Sequence, residues 1–430
     1  MKPTLSWGNL PDNFIVDQIQ YSENIFDQNY KSILPYGNGR SYGDVCINST
    51  MITLSNLEKF INIDRENNLI TCSSNMTVKE VLDFLIPKGY FLPVVPGTQN
   101  ITIGGAVAND IHGKNHHTSG SIGNFIKKIE LHRSDKGIIF CDEINDNSLF
   151  FSTIGGLGLT GIIRSVTIEV KKIESVFIDS VCEKFYSFEE FLNINNELEK
   201  NYEYCVAWVD LVNIKKSGFK GLLLAGNHSK NNIQKKNTFS TKQFSINFPS
   251  TLPFSLVNKL TIKILNFLYF YFVGRTKNSI QMYKKFFFPL DVINFWNKAY
   301  GKKGFFQYQF VVPYKNVESF FNKFVECLKK YNELPSLTVL KSFGDIESVG
   351  MMSFPRKGVT LAIDFPNKGN STQKLFDDLD LLVNSYGGAI YPAKDSRMSK
   401  ETFHKSFPKK LEFEKNIDPL FSSNFWERVR

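Results

Sequence analysis

An α+β fold in two parts is predicted by three features of this 430-residue sequence. Residues 30–175 alternate short β-like runs with glycines, whereas residues 177–380 mix longer strand-like runs with amphipathic helical patterns. Residues 388–430 begin with glycines and end in a helical pattern. Because a chain of this length exceeds one ordinary core, we expect domains at 1–175 and 176–385, followed by a C-terminal segment at 386–430.

The first part contains predicted strands and one capped helix. The strand-like runs are MITLSNL, NLITCSS, KIELHRS, GIIFCD and IIRSVTIEV. In TVKEVLDFLIPKG, Thr77 is expected to cap a helix, Glu80 completes a capping box, and Gly89 ends it.

The second part has the pattern of an antiparallel sheet with helices. Its strand-like runs are YEYCVAWVDL, GLLLAG, FFQYQFVVP and GVTLAIDFP, and its helical runs are VESFFNKFVECLKKY and STQKLFDDLDLLVNSYG. An insert at about 227–285 starts polar and basic, and we expect residues 227–250 to be mobile.

The insert then becomes apolar. If it is helical, one apolar stripe is flanked by Lys259 and Lys263 and consists of Leu256, Leu260, Ile264, Phe267 and Tyr271. This pattern predicts either a helix that lies at a membrane interface or a lid that covers a core.

Bulk composition excludes several classes of protein. The excess of 51 basic over 42 acidic residues gives +9, which is either a solvated surface or an attraction to phosphates or an anionic membrane. Six cysteines without a CxxC pair argue against a zinc site or a disulfide framework and suit a reducing compartment. There is no signal-peptide pattern, and the longest apolar stretch, 260–273, is too short to span a bilayer.

Residues 97–124, GTQNITIGGAVANDIHGKNHHTSGSIGN, form the most informative segment, with six glycines and three histidines. Glycine and asparagine are poor helix formers, so we expect no helix here. Glycines let a backbone approach a bulky ligand, and N–H groups in turns bind phosphate. The segment therefore predicts a wall around a large anionic cofactor.

Two further segments are rich in glycine. Residues 36–44, YGNGRSYGD, have the spacing GxGxxxG and precede a strand-like run, so they do not match a Rossmann fingerprint. A tight turn explains Gly37 and Gly39, but amides, the Arg40 guanidinium and a hydroxyl together indicate a pyrophosphate cradle. Residues 155–163, GGLGLTGII, lead into a strand-like run.

In this order, the three glycine-rich segments resemble flavoproteins of the vanillyl-alcohol-oxidase (PCMH) type. GGAVANDIHGKNHH is similar to the decaprenylphosphoryl-β-D-ribose 2′-oxidase family, the flavin subunits of an epimerase that makes decaprenylphosphoryl arabinose. The similarity continues through residues 286–313, 337–344 and 390–408. It implies an FAD-binding domain at 1–175, an antiparallel-sheet substrate domain at 176–385 and a segment at 386–430 that returns to the flavin.

The resemblance also implies which residues meet FAD. The expected cofactor-binding residues are Tyr36, Gly37, Asn38, Gly39, Arg40, Ser41, Tyr42, Gly43, Asp44, Gly97, Thr102, Ile103, Gly104, Gly105, Asn109, Asp110, Ile111, His112, Asn115, His117, Ile162, Ile163 and Tyr391. Relatives such as alditol oxidases attach FAD through a histidine directly after this arginine. Because Ser41 stands there, we expect the FAD to be non-covalent.

The implied reaction oxidises the 2′-hydroxyl of a polyprenyl-phosphoryl ribose to the 2′-keto sugar. This is the first half of an epimerisation that supplies arabinose for cell-wall polysaccharide. Lys394, in AKDSR, is expected to stabilise the developing alkoxide, with Tyr42 and His112 as the other catalytic candidates. The expected substrate-binding residues are Gln307 and Gln309, which share one side of a strand, together with Lys341 and Lys394. For each lysine, the alternative interpretation is an exposed residue on the surface.

Partners and rival functions follow from the same resemblance. HGKNHH lacks HExxH-type spacing, so we expect no metal. Expected partners are the lipid-linked sugar phosphate, an NADH-dependent reductase and the inner face of the membrane, with no nucleic acid. One alternative is a soluble FAD sugar or alditol oxidase that uses O2, and another is a flavin-free binding or scaffold subunit.

Overall fold

Antiparallel pairing dominates the computed structural model, whose described residues are 6–10, 15–212, 214, 219–230, 245–331 and 333–430. Helices and sheets mix along these residues, which confirms the predicted α+β class. Of the segment expected to be mobile, 231–244 lies outside the described residues, and Asn227 and His228 end a strand instead.

A five-stranded antiparallel sheet occupies the first part of the chain. In spatial order its strands are Ile61–Asp64, Leu69–Ser73, Ile162–Glu169, Ile126–Arg133 and Gly137–Cys141. Four of them lie in runs that the sequence predicts as strands. Smaller sheets pair Asp17–Gln20, Thr50–Thr53 and Leu34–Tyr36 in parallel, and Tyr90–Phe91 with Lys171–Lys172.

The capped helix of the first part forms as predicted. Val78–Leu85 follows Thr77, whose hydroxyl accepts from the Glu80 N–H at 3.2 Å. The Glu80 carboxylate in turn accepts from the Thr77 N–H at 2.7 Å, which completes the capping box. A short 3-10 turn extends the helix, and Gly89 ends it with a φ of +80°.

The expectation that residues 97–124 contain no helix is wrong. Ile103–Ala108 forms a short helix, and His116–Ser119 forms a single turn. The Thr102 hydroxyl caps the first of them by accepting from the Gly105 N–H at 3.2 Å. The cap and the burial of the apolar side chains offset the low helix propensity of glycine.

An eight-stranded antiparallel sheet follows. In spatial order its strands are Asn278–Met282, Phe177–Phe185, Lys220–His228, Tyr204–Asp210, Thr338–Phe343, Gly358–Pro366, Phe305–Val312 and Ala389–Ile390. The edge strand Asn278–Met282 belongs to the predicted insert, and the opposite edge strand belongs to the C-terminal segment.

Successive side chains of a strand point opposite ways, so the largest apolar core lies on one face of this sheet. The other face, called the polar face below, mixes polar side chains with smaller apolar clusters. In Phe305–Val312, the side chains of Phe306, Tyr308 and Phe310 join the largest core. Helices Val317–Lys330 and Asn370–Ser385 cover that face. Gln307 and Gln309 therefore lie together on the opposite face, as their alternation predicts.

The remaining helices are short and connect the sheets. They are Asn147–Thr153, Phe188–Glu199, Tyr283–Phe287, Lys400–Ser406, Lys410–Glu414 and Asn424–Val429, with 3-10 turns at Ile25–Asp27, Asp44–Cys46, Ile122–Phe125, Pro289–Val292, Trp296–Tyr300 and Pro392–Lys394. A two-residue bridge pairs Ile246–Asn247 with Ile293–Asn294.

The apolar part of the insert is the helix Lys259–Phe272, and its predicted stripe points away from the protein. The exposed fractions of that stripe are 41% for Leu256, 68% for Leu260, 51% for Ile264, 59% for Phe267 and 51% for Tyr271. The buried side instead carries Phe270, packed on the eight-stranded sheet, and Asn266, which donates to the Asp210 carboxylate at 2.8 Å. The stripe itself thus covers no core within the described residues.

Candidate active site

The first and second glycine-rich segments meet at the start of the helix Ile103–Ala108. A Cβ atom on Gly37 would lie 2.6 Å from the Thr102 Oγ1, so only glycine fits there. The Asn38 side chain donates to the Asn100 carbonyl at 3.0 Å. These contacts bring the proposed phosphate cradle against the cofactor wall.

The third segment, residues 155–163, closes on the other end of the same helix. The Gly155 N–H donates to the Val107 carbonyl at 2.9 Å, and the Leu157 N–H donates to the Ala108 carbonyl at 2.7 Å. All three segments of the sequence pattern therefore surround one short helix.

Arg40 is the cation of the first segment. Its guanidinium lies 4.1 Å from the centre of the Trp7 ring, and its Nε has no hydrogen-bond partner among the described residues. Burial lowers the pKa of Arg40, and the negative charge of Asp291 partly offsets this by raising it. Asp291 accepts from the Thr98 hydroxyl at 2.7 Å and the Gln99 N–H at 2.9 Å. A buried guanidinium with an unused N–H fits a phosphate ligand.

Tyr42 joins the first segment to the C-terminal segment. Its N–H donates to the Ala393 carbonyl at 2.9 Å, and the Lys394 Nζ lies 4.0 Å from the centre of its ring. A Cβ atom on Gly43 would lie 2.0 Å from the Asp395 carbonyl oxygen, so this approach requires glycine. Burial raises the pKa of Tyr42 well above its usual value, and the phenol therefore keeps its proton.

Two expected cofactor residues are held by bonds within the protein. The Asp44 carboxylate accepts from the Arg428 guanidinium at 2.8 Å. The buried Asp110 carboxylate accepts from the Ser121 hydroxyl and the Gly123 N–H, both at 2.8 Å. The Asp44 bond joins the first glycine-rich segment to the C-terminal segment, whereas the Asp110 bonds hold the second glycine-rich segment together.

The polar face of the eight-stranded sheet carries the expected substrate residues. Gln307 lies opposite Asp364 and donates to its Oδ1 at 2.5 Å. The Gln309 Nε2 lies 3.1 Å from the His112 Nε2. The sheet and the second glycine-rich segment thus share this surface.

Three lysines point their ammonium groups into this region. The Lys341 Nζ donates to the Gly113 carbonyl at 3.1 Å, and the Lys114 Nζ donates to the Phe286 carbonyl. Burial lowers the pKa of Lys114 and Lys341 to about 7, and that of Lys394 to about 8. Among the described residues, no carboxylate oxygen lies within 4.0 Å of these three nitrogens. Buried amines without a carboxylate in contact fit an anionic ligand, whose negative charge favours their ammonium forms.

His112 is a neutral side chain at the centre of the site. Burial, followed by the charges of Lys341, His116 and Lys394, lowers its pKa well below the usual value. Its Nδ1 has no partner among the described residues, and its ring lies 4.9 Å from that of Phe343. Within the described ranges, no group of three or more histidine, cysteine, aspartate or glutamate side chains is arranged to hold a metal ion.

Tyr391 lies where the edge strand of the large sheet meets the second segment. Its hydroxyl donates to the Asn109 carbonyl at 2.8 Å, and its ring stacks on Phe354 with 4.6 Å between centres. The ring is also 5.4 Å from that of His112. Tyr391 therefore belongs to the same wall as His112.

Four other expected residues lie in the protein framework. Asn115 donates to the Pro93 carbonyl at 2.9 Å, and the His117 Nε2 lies 3.0 Å from the Tyr202 carbonyl. Ile162 and Ile163 point into two different apolar cores. No hydrogen bond or ion pair joins these side chains to the three lysines.

Sequence reasoning missed Lys114 and Asp364. Lys114 lies in GKNHH, and a lysine between a glycine and two histidines could have indicated a residue of the site. Asp364 is the acid in the otherwise apolar run GVTLAIDFP, which points to a buried carboxylate.

The site fits a large anionic group such as a flavin dinucleotide. Buried polar atoms without partners, among the described residues, include the Arg40 Nε, the Asn109 Oδ1 and the His112 Nδ1. Gly97 is exposed, and a Cβ atom on it would meet nothing within 4 Å. A buried Arg40 N–H without a partner, together with buried amines that no carboxylate contacts, suits the phosphates of such a cofactor and an anionic substrate.

Comparison with known proteins supports this interpretation. The model of an FAD binding domain matches residues 16–141. The chain is 32% identical to the decaprenylphosphoryl-β-D-ribose oxidase of Mycolicibacterium smegmatis over 93% of this chain and 89% of that protein. It is 25% identical to an uncharacterised protein of Streptomyces coelicolor over 82% of this chain and all of that one. Over 33% of this chain it is 23% identical to the L-gulonolactone oxidase of Mus musculus, of which it covers 32%.

Proposed function

The chain belongs to the decaprenylphosphoryl-β-D-ribose oxidase family, and we propose that it oxidises the 2′-hydroxyl of a polyprenyl-phosphoryl ribose to the 2′-keto sugar. It is an FAD-dependent oxidoreductase that acts on CH–OH groups. The observation that carries the substrate proposal is 32% identity over 93% of the chain, to a relative named for that lipid-linked sugar.

FAD, when bound, accepts a hydride from the carbon that carries the hydroxyl. We propose that Gly37, Arg40, Gly97 and the helix Ile103–Ala108 hold its phosphates and ribityl chain. The unused Arg40 N–H supports this assignment. Ser41 offers no nucleophilic nitrogen, so the cofactor is held without a covalent bond.

Lys394 and Tyr42 are the proposed partners of the reacting oxygen. Loss of the hydroxyl proton to a base puts negative charge on that oxygen, and departure of the hydride from the carbon then converts it to the keto oxygen. A buried cation stabilises the alkoxide charge strongly because little water competes. The Lys394 ammonium lies over the Tyr42 ring at 4.0 Å, so both donors can reach one oxygen. Neutral His112 adds no repelling charge, and its contact with Gln309 orients the glutamine amide.

The sugar and its phosphate occupy the polar face of the eight-stranded sheet in this proposal. Gln307 and Gln309 present amide groups that suit sugar hydroxyls. Lys341, which among the described residues hydrogen-bonds only to the Gly113 carbonyl, is the proposed partner of the phosphate. Residues 1–175 then act as the FAD domain, 176–385 as the substrate domain, and 386–430 as the segment that completes the site.

Anaerobic flavin reduction tests this function. Purified protein with FAD is mixed with polyprenyl-phosphoryl ribose, and the visible flavin bands should bleach. Lys394→Met should slow bleaching by about 100-fold or more, the usual loss for one charge-stabilising donor. The matched control Lys405→Met removes an exposed lysine that pairs only with Glu401, and it should bleach like the parent. A yellow protein that does not bleach would refute the substrate assignment.

The final electron acceptor and the partner enzyme are the subject of separate proposals. We propose that the keto product passes to an NADH-dependent reductase, which would complete an epimerisation to the arabinose lipid. Peroxide formed in step with turnover in air would instead indicate an O2-dependent sugar or alditol oxidase. Colourless protein that cannot be loaded with FAD would contradict the flavoprotein assignment.

We also propose that the exposed stripe of the helix Lys259–Phe272 meets the acyl or polyprenyl region of a membrane. A contiguous apolar face flanked by Lys259 and Lys263 supports this, because such helices lie in the interface of anionic bilayers. Among the described residues, no helix is long and apolar enough to cross a membrane.

Vesicle sedimentation tests the membrane contact. Leu260→Ser with Phe267→Ser should weaken binding to vesicles of anionic phospholipid at least tenfold and leave the flavin spectrum unchanged. Leu381→Ser with Leu411→Ser is the matched control, since both leucines are isolated and exposed by 68% and 73%. Equal sedimentation of the two double variants would refute the idea.

A further inference from the structure

A buried carboxylate, Asp364, lies beside the proposed reacting centre without a cation in direct contact. Its Oδ1 accepts from the Gln307 Nε2 at 2.5 Å, and its Oδ2 lies 3.5 Å from the Tyr300 hydroxyl. The Tyr300 hydroxyl also bonds to Ser336 at 2.8 Å. Among the described residues, no nitrogen of lysine, arginine or histidine lies within 4.0 Å of this carboxylate. A fully buried acid with neutral partners is costly, so its retention needs a reason besides packing.

The charge that acts on Asp364 at longer range is that of Lys394. The two groups influence each other: Lys394 favours the carboxylate, and Asp364 favours the ammonium. Burial nevertheless raises the pKa of Asp364 to about 7 and lowers that of Lys394 to about 8. Each is therefore close to losing its charge at neutral pH, and each depends on the other to keep it.

We propose that Asp364 is a positioning residue that keeps Lys394 in its ammonium form and fixes Gln307 against Tyr42. An ionised carboxylate only accepts hydrogen bonds, so it turns the nitrogen of the Gln307 amide toward itself. The Gln307 amide is also close enough to the Tyr42 hydroxyl to lower its pKa against the effect of burial. An amide fixed by Asp364 therefore helps to position the Tyr42 hydroxyl at the reacting oxygen. This inference rests on the proposed function, since it assigns Lys394 the task of stabilising that oxygen.

The charged or titratable groups around the pair come from several elements. Those that act on Asp364, Lys394 or both are Tyr42, Tyr300, His112 and Lys341. Both tyrosines keep their protons, because burial raises the pKa of each well above its usual value. His112 stays neutral, so Lys341 is the other group whose charge changes near pH 7.

The test is the pH dependence of flavin reduction by polyprenyl-phosphoryl ribose in the FAD-loaded protein. In the parent, the rate should fall at high pH as Lys394 loses its proton. Asp364→Asn removes the negative charge, so this alkaline limb should move at least one pH unit lower. Asp364→Glu keeps the charge and should leave the limb near its original pH. Asp364→Ser is the second neutral variant and should behave like the asparagine variant.

Asp380→Asn is the matched control. Asp380 is also buried beside the same sheet, but it pairs with Tyr308 and Arg397 instead of the site residues. Its replacement can lower stability, yet it should not move the limb. A neutral variant at 364 that slows reduction without moving the limb would overturn the proposal and leave Asp364 a structural residue.

A substrate-free measurement separates this proposal from the function itself. The unfolding midpoint of the FAD-loaded protein is measured against pH with and without Lys394→Met, in the parent and in Asp364→Asn. The destabilising effect of Lys394 should begin to shrink at a pH at least one unit lower in Asp364→Asn, and below that pH it should be larger than in the parent. If this shift occurs but the substrate never bleaches the flavin, the proposed function is refuted and the coupling between Asp364 and Lys394 is still supported. An unshifted profile refutes the coupling.

Discussion

Replacing Lys341 by methionine should stabilise the protein and weaken substrate binding. Burial lowers the pKa of Lys341 from 10.5 to about 7. At about 1.4 kcal/mol per tenfold change in proton affinity, the buried ammonium costs on the order of 4 kcal/mol at pH 7. Methionine avoids that cost but leaves the Gly113 carbonyl without its 3.1 Å bond, which costs about 1–2 kcal/mol. The net expected gain is about 2 kcal/mol.

The pH dependence makes this prediction sharper. The pKa of Lys341 is lower in the folded state than in the unfolded state, so its cost is fully present below about pH 7 and is lost as the pH rises toward 10.5. At pH 9 the remaining cost is roughly 2 kcal/mol, which the lost hydrogen bond nearly cancels. The stabilising effect of Lys341→Met should therefore shrink from pH 7 to pH 9.

Chemical denaturation at saturating FAD measures this effect, with the unfolding free energy of parent and variant compared at both pH values. The KM for the lipid-linked substrate should rise at least tenfold in Lys341→Met, because a charge-assisted bond to phosphate is worth over 1 kcal/mol. The reasoning about burial would be refuted if the variant were less stable than the parent at pH 7. It would also be refuted if the change in unfolding free energy were the same at both pH values. An unchanged KM would refute the phosphate contact.

Three further predictions concern the first glycine-rich segment and the cofactor. Acid precipitation should release all flavin into the supernatant, because Ser41 cannot form the covalent bond that a histidine forms, and yellow pellets would contradict this. Gly43→Ala should lower the unfolding temperature by several degrees, since the new Cβ would lie 2.0 Å from the Asp395 carbonyl oxygen. Gly97→Ala meets no atom within 4 Å and should leave the FAD-free protein unchanged in stability. The same change should weaken FAD binding, measured by flavin fluorescence, if Gly97 lines the cofactor space.

Local patterns made much of the fold predictable. The capping box at Thr77 and Glu80 depends on residues three apart, and alternation in Phe305–Val312 separates Gln307 from its apolar neighbours. The helix Ile103–Ala108 was missed because glycine propensity was weighed without the cap and the tertiary burial that outweigh it. Propensity describes an isolated peptide, and packing overrides it here.

The site was only partly predictable because its contacts join distant parts of the chain. Motifs indicate that Lys394 and Tyr42 belong to the site. No local sequence pattern, however, predicts that the Lys394 ammonium lies over the Tyr42 ring. Asp364 shows only as an acid in an apolar strand, and its partner Gln307 becomes visible through the strand register. Sequence motifs thus identify the participants, whereas the sheet topology determines which of them meet.

The bond between Arg428 and Asp44 spans 384 positions of the chain. During synthesis at 5–20 residues per second, roughly 20 to 80 s separate the appearance of its two ends. For most of that interval the first glycine-rich segment exists without Ala393 and Lys394, and for all of it without Arg428, so the site is incomplete on the ribosome. Cofactor loading should accordingly be a late event, and nascent chains halted before residue 390 should not retain FAD.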